Sequence, residues 1–131
     1  VGYEIREDFA NRAKKNVESF LGASVLDRYD VHIADSYAGI DPELGMFDRV
    51  VLDLPEPWNV VPNAEAVLQP GGLLLAYTPS ITQAVQVREA LKGKWIDART
   101  IGGAYGVLER RPLPRPQPDL TRSNNWSMIS A

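Results

Sequence analysis

Apolar residues in this chain fall into short solid runs that alternate with stretches in which they recur every three or four positions. Solid runs of four to eight read as buried strands, and spaced recurrence reads as the inner stripe of a helix. Val1 to Ile5 opens as a strand, and Phe9, Ala13, Val17, Phe20 and Leu21 then keep helical spacing up to Gly22, a natural stop. Tyr29 to Ala34 is the next strand, 36 to 47 a loop with Gly39, Asp41-Pro42 and Gly45, and Asp48 to Leu54 a third strand. Residues 59 to 69 predict a helix broken at Pro62, after which Pro70-Gly71-Gly72 turns the chain into a strand from Leu73 to Thr78. Ile81 to Leu91 follows as a helix with Ser80 or Thr82 near its start and Gly93 at its end. Trp95 to Ile101 and Val107 to Arg110 read as strands around a glycine-rich bend at 102 to 106. This alternation predicts an α/β fold, a mostly parallel sheet with helices on both faces.

Three of the strands end on chemistry. Glu4, Asp35-Ser36 and Asp53 each stand where a strand gives out, and open α/β sheets bind ligands just past the carboxyl ends of their strands. A carboxylate in such a place can accept hydrogen bonds from two ribose hydroxyls, as Glu4 could, or from an adenine amine, as Asp35 could. A solvated strand end is the alternative for Glu4. After Asp53 comes Leu54-Pro55-Glu56-Pro57-Trp58, in which two prolines fix two φ angles and restrict the residues before them. Either these prolines simply stop the strand while Trp58 covers a core edge, or Asp53 and Trp58 are held in a preset geometry for a ligand.

Composition removes several kinds of chemistry. The 131 residues contain no cysteine and one histidine, so disulfides, thiolate metal sites and thiol nucleophiles are absent and His32 has no imidazole partner. Neither G-x-S-x-G nor a P-loop motif occurs. A phosphate role for the 102 to 106 glycines lacks a following helix. No metal site and no membrane span is expected, and the lack of a signal-peptide pattern fits a cytoplasmic address. The net charge of −3 hides an asymmetry: residues 1 to 87 carry 6 basic and 13 acidic side chains, residues 88 to 131 carry 8 basic and 4 acidic. The last third is therefore the candidate surface for phosphate. Within it, Pro112, Pro114, Pro116 and Pro118 alternate with other residues as a stiff extended spacer or a partner's docking peptide, before Trp126 to Ile129 returns as a final strand.

Four stretches together resemble the tRNA adenine-N1 methyltransferases, a family of class I S-adenosylmethionine (SAM) enzymes: Val-Gly-Tyr-Glu-Ile-Arg-Glu-Asp at 1 to 8, Ala-Asp-Ser at 34 to 36, Asp-Leu-Pro-Glu-Pro-Trp at 53 to 58 and Tyr-Thr-Pro-Ser-Ile-Thr-Gln at 77 to 83. The last two are rather specific to the family, and the first two fit many SAM enzymes. The resemblance implies a Rossmann-like SAM methyltransferase domain over residues 1 to 111, with 112 to 131 as connector and final strand of the same domain. It also implies SAM as cofactor, tRNA as partner, N1-methyladenosine in the T loop as product, and a homotetramer. Carried over, Glu4 with Ile5 would hold the SAM ribose and Asp35 with Ser36 its adenine. Asp53 would lie between methyl donor and target base, and with Tyr77 would form the catalytic pair. Pro55, Trp58, Tyr77 and Gln83 would shape the base pocket.

Two features depart from the family. Its glycine-rich first strand and turn, expected just before Val1, and its small N-terminal domain are missing, which predicts unpaired edges in the middle of the sheet and poor SAM binding by this chain alone. Its usual His-Thr pair near the end is replaced by Ser123-Asn124-Asn125-Trp126. Other readings are a noncatalytic tRNA-binding partner subunit and a class I methyltransferase acting on a small molecule or protein.

Overall fold

A computed structural model describes residues 1 to 102 with their side chains and 106 to 110 and 126 to 130 as backbone. The elements run β1 (Gly2–Glu4), α1 (Glu7–Leu21), a 3-10 turn (Ala23–Arg28), β2 (Val31–Ile33), a 3-10 turn (Pro42–Leu44), β3 (Phe47–Asp53), a 3-10 turn (Pro57–Asn59), α2 (Val61–Val67), β4 (Leu68–Tyr77), α3 (Ile81–Ala90), β5 (Ile96–Ile101), β6 (Gly106–Arg110) and β7 (Trp126–Ser130). The proline spacer, Gly103 to Tyr105 and Ser123 to Asn125 lie outside the described residues.

The strands form one seven-stranded sheet in the order β2-β1-β7-β3-β4-β6-β5. β2, β1, β7, β3 and β4 are mutually parallel, while β6 runs antiparallel to both β4 and β5. The expected mostly parallel α/β sheet is thus present, with an antiparallel pair at one edge. One expectation is overturned: the middle of the sheet has no vacant edge, because β7 lies between β1 and β3 and pairs with both. A slot flanked by two parallel strands satisfies the backbone of a third on both sides, which is why a strand is drawn there.

Alternation along the strands sorts the two faces. Tyr3, Val50, Leu52, Leu74 and Ala76 are buried in a core completed by Val60, Val61, Ala64 and Val67 of the α2 region and Ala84, Val87 and Leu91 of the α3 region. Val31 and Ala10 are buried outside that core, on the other face, where α1 packs against β1 and β2. Helices therefore flank the sheet on both sides.

The apolar stripe of α1 is half-buried from Phe9 to Val17 and exposed at its end. Ala10 is fully enclosed, yet Phe20 is 86% exposed. The physical reason is length: fifteen helical residues span roughly 22 Å, whereas β1 and β2, three residues each, offer roughly 10 Å of sheet. The final turns of α1 outrun their support.

Two local readings also change. Pro62 does not break a helix but sits in the first turn of α2, where its missing N–H costs nothing. Residues 70 to 72 are not a turn ahead of a strand but a bulge within β4, since Phe47 pairs with Leu68 while Arg49 pairs with Leu73. Gly72 permits this bulge, because a Cβ there would meet the Asp48 carbonyl oxygen at 2.9 Å and Leu68 at 2.8 Å.

Candidate active site

Pairing register brings the predicted strand-end residues into one row. Tyr3 pairs with Ile129, Ile129 with Leu52, and Leu52 with Ala76. One residue further along every strand stand Glu4, Asp53 and Tyr77, on the opposite face of the sheet from the Tyr3 core and at its carboxyl rim. Strand spacing puts Asp53 about 5 Å from Tyr77 and about 10 Å from Glu4, backbone to backbone. In front of them the sheet is only partly covered: Arg49, Val51 and Leu73 are half-buried and Leu75 is exposed.

Each member of the row has its own surroundings. Glu4 is buried, and one carboxylate oxygen accepts the Arg6 N–H at 2.9 Å, as an enclosed charge requires. Asp53 is exposed, and Tyr77 leaves nearly half its surface open. Ile5 projects outward beyond Glu4. Close by in sequence, the Arg6 guanidinium hydrogen-bonds Asp8 at 2.7 Å and holds its carboxyl below the usual carboxylate range, and Arg6 also lies 3.8 Å over the Phe9 ring.

Asp35 follows β2, whose last residue pairs with Glu4. Its side chain accepts the Tyr37 N–H at 2.9 Å and its carbonyl the Ala38 N–H at 3.1 Å, closing a tight turn in which Ser36 is buried and Asp35 exposed. Asn63, from α2, donates to the carbonyls of Ser36 and Tyr37 at 2.8 and 3.3 Å.

The proline turn after Asp53 is held from two sides. Gln83 donates to the Pro55 carbonyl at 2.9 Å, and its amide oxygen accepts from Ser80 Oγ at 2.8 Å. Ser80 also caps α3 by accepting the Gln83 N–H. Tyr37 Oη accepts the Glu56 N–H at 3.1 Å. Pro57 is buried, and Trp58 is partly buried against the core, so its ring does serve the core edge. Of the two aromatic candidates, Tyr77 presents the more open ring. Tyr37 and Asn63 had no signal in the sequence: neither belongs to a recognisable motif, and their partners lie about twenty or more residues away.

His32 stands apart from the row. Stacked on Tyr3 with ring centroids 5.5 Å apart and with Nε2 3.2 Å from Asp30, it lies on the opposite face. Three of the basic side chains described in the last third are exposed and ion-paired. Lys92 pairs with Glu89 at 2.5 Å, Lys94 with Glu65 at 3.3 Å and Arg99 with Asp97 at 3.4 Å. Among the described residues no cluster of three metal-ligating side chains occurs, and no helix is long and apolar enough to cross a membrane.

The acceptors present would fit SAM: buried Glu4 could take hydroxyls and exposed Asp35 an amine, beside a rim open on the face of Asp53. The family model of the tRNA methyltransferase complex GCD14 subunit matches residues 5 to 127. The chain is 32% identical over 133 residues to the TrmI tRNA (adenine(57)-N(1)/adenine(58)-N(1))-methyltransferase of Methanocaldococcus jannaschii, covering 84% of this chain and 45% of that protein. It is 33% identical over 88 residues to the tRNA (adenine(58)-N(1))-methyltransferase TrmI of Thermus thermophilus, covering 67% and 33%. The chain thus spans less than half the length of these curated relatives. Among solved structures it resembles a SAM-dependent O-methyltransferase of Thermotoga maritima with a TM-score of 0.69 at 21% identity, over 88% of this chain and 50% of that one. Thermus thermophilus TrmN is similar at a TM-score of 0.61 and 21% identity, over 85% and 35%. At such identity these structures establish the class I SAM methyltransferase fold.

Proposed function

Because the chain belongs to the tRNA methyltransferase GCD14-subunit family, we propose that the protein containing it methylates adenine N1 in tRNA, with the T loop as the target and SAM as the donor. The observation that supports this most is the single row of Glu4, Asp53 and Tyr77 at the carboxyl rim, beside the Asp35 turn.

SAM, when bound, supplies an electrophilic methyl group on a sulfonium. Adenine N1 carries its own lone pair, so the protein needs no covalent nucleophile, in keeping with a chain that lacks cysteine. Asp53 accepts a hydrogen bond from the adenine N6 amine, which orients N1 and offsets the positive charge that develops on the ring. Glu4 accepts from the cofactor's ribose hydroxyls and Asp35 from its adenine amine. Tyr77 stacks on the target base, which must leave the folded tRNA to reach the rim. We take the assembly to be a homotetramer, the state the family resemblance implies.

Nucleoside analysis of bulk tRNA after incubation with the full-length protein and methyl-labelled SAM is expected to yield N1-methyladenosine. Asp53→Ala should lower turnover roughly 10²- to 10³-fold while calorimetric SAM binding persists. Undiminished methylation by that variant would overturn the assignment, and label appearing in small acceptors but not tRNA would favour a small-molecule methyltransferase.

A further inference from the structure

The turn that follows Asp53 has little freedom left except at one peptide. Pro55 and Pro57 fix their own φ angles, so the turn's remaining soft motion is rotation of the peptide unit between Pro55 and Glu56, which changes ψ of Pro55 and φ of Glu56 together. Both ends of that unit are held. Its carbonyl oxygen accepts from Gln83 Nε2 at 2.9 Å, and its N–H donates to Tyr37 Oη at 3.1 Å. A trans peptide presents these groups in opposite directions, so two side chains from different elements grip one plane from its two sides.

The grips have different origins. Gln83 stands in the first turn of α3, braced by Ser80. Tyr37 belongs to the turn that begins with Asp35, and its own N–H is bonded to the Asp35 carboxylate at 2.9 Å. Asn63 fastens this turn through the Ser36 and Tyr37 carbonyls. A continuous series of contacts therefore runs from Asp35 through Tyr37 to the Glu56 N–H and the turn that carries Asp53 at its start.

We propose that Tyr37 is a positioning residue that makes the geometry of the Asp53–Trp58 turn depend on the Asp35 turn, so that filling the cofactor side settles the acceptor side. This rests on the reading of Asp35 as a cofactor contact and of Asp53 as the acceptor contact. A ligand that draws on Asp35 stiffens the Asp35–Tyr37 turn. The Tyr37 hydroxyl, at the far end of its ring, then keeps the Pro55–Glu56 peptide in the orientation that Gln83 also favours. Coupling of this kind needs a physical element that both sites bias, and the gripped peptide is that element.

The test uses the full-length protein and Tyr37→Phe, which removes the hydroxyl and keeps the ring. Amide exchange at Glu56, followed by NMR with S-adenosylhomocysteine as the added ligand, is expected to slow further on ligand addition in the parent. In the variant it should be roughly three- to tenfold faster and indifferent to the ligand, the loss of one hydrogen bond. Turnover at saturating SAM should fall by a similar factor, with the KM for SAM within twofold of the parent. Unchanged exchange and turnover in the variant would overturn the proposal. So would a loss confined to SAM affinity, or a fall in thermal stability matched by equal loosening at amides throughout the sheet. Should the parent fail to methylate tRNA while its Glu56 amide still answers to the ligand, the functional reading falls and the link stands; a parent Glu56 amide deaf to bound ligand removes the link.

Discussion

Asp53 and Glu4 share a row and a chemistry but not an environment, and the difference comes from what surrounds each side chain. Glu4 is enclosed beside the start of α1, where the Arg6 N–H meets it; Asp53 ends its strand in the open. Asp8 shows that one neighbour acts even at an exposed position. Its carboxyl is held below the ordinary range by the hydrogen bond from Arg6, so the stabilisation it adds is present above the unfolded value and lost as pH falls through the lowered folded one. A carboxyl titration followed by NMR should therefore show Asp8 with a depressed midpoint that returns to the ordinary range in Arg6→Gln, with little change in overall stability because water screens the pair. Gly72 makes the opposite case, a residue defined by what it lacks. Gly72→Ala drives a Cβ against backbone, the Asp48 carbonyl oxygen, and should cost about 1–3 kcal/mol in urea unfolding.

Among the elements, α1 separates helix formation from helix burial. Its stripe of apolar residues at helical spacing predicts the helix correctly, and Glu7 and Asp8 favour its N-terminal turn while Gly22, at φ 88°, ends it. What the stripe does not predict is that it is only half-buried from Phe9 to Val17 and exposed at Phe20 and Leu21. Phe20→Ser is accordingly expected to change unfolding free energy by less than about 0.5 kcal/mol, whereas Leu52→Ala, in the fully buried part of β3, should cost about 2–5 kcal/mol. Chemical denaturation of the two variants side by side checks the contrast. α3 is the reverse case: its inner residues Ala84 and Val87 are wholly buried, and its capping Ser80 also orients Gln83 toward the proline turn. One short helix start thus serves both folding and the candidate site.

For the sheet as a unit, the decisive strand is the last one. β7 lies between β1 and β3, with five residues of β3 in register against it, and it joins the Glu4 side of the rim to the Asp53 side. A proline there removes a ladder hydrogen bond and clashes with its neighbours. Met128→Pro should therefore destabilise the sheet strongly and take any SAM binding with it, seen as a joint loss of the thermal transition and of the calorimetric signal. The same replacement in a strand at the sheet's margin would do far less, so an unaffected variant would argue that β1 and β3 are joined in another way.

The strand-end carboxylates, the proline turn and the order of strands and helices were legible in the chain because each is local. A buried run that gives way to Asp or Glu marks the end of a strand, and every parallel strand delivers its end to the same rim. Hydrophobic period carries no information about which strand lies beside which, since that depends on closing long loops and pairing segments far apart. That is why the place of β7, the reversed direction of β6 and the bulge at Gly72 appear only with the folded sheet. The Tyr37 hydroxyl on the Glu56 amide is of the same kind: nineteen residues separate the partners, and only the packing of the loop after β2 against the turn after β3 lets them meet.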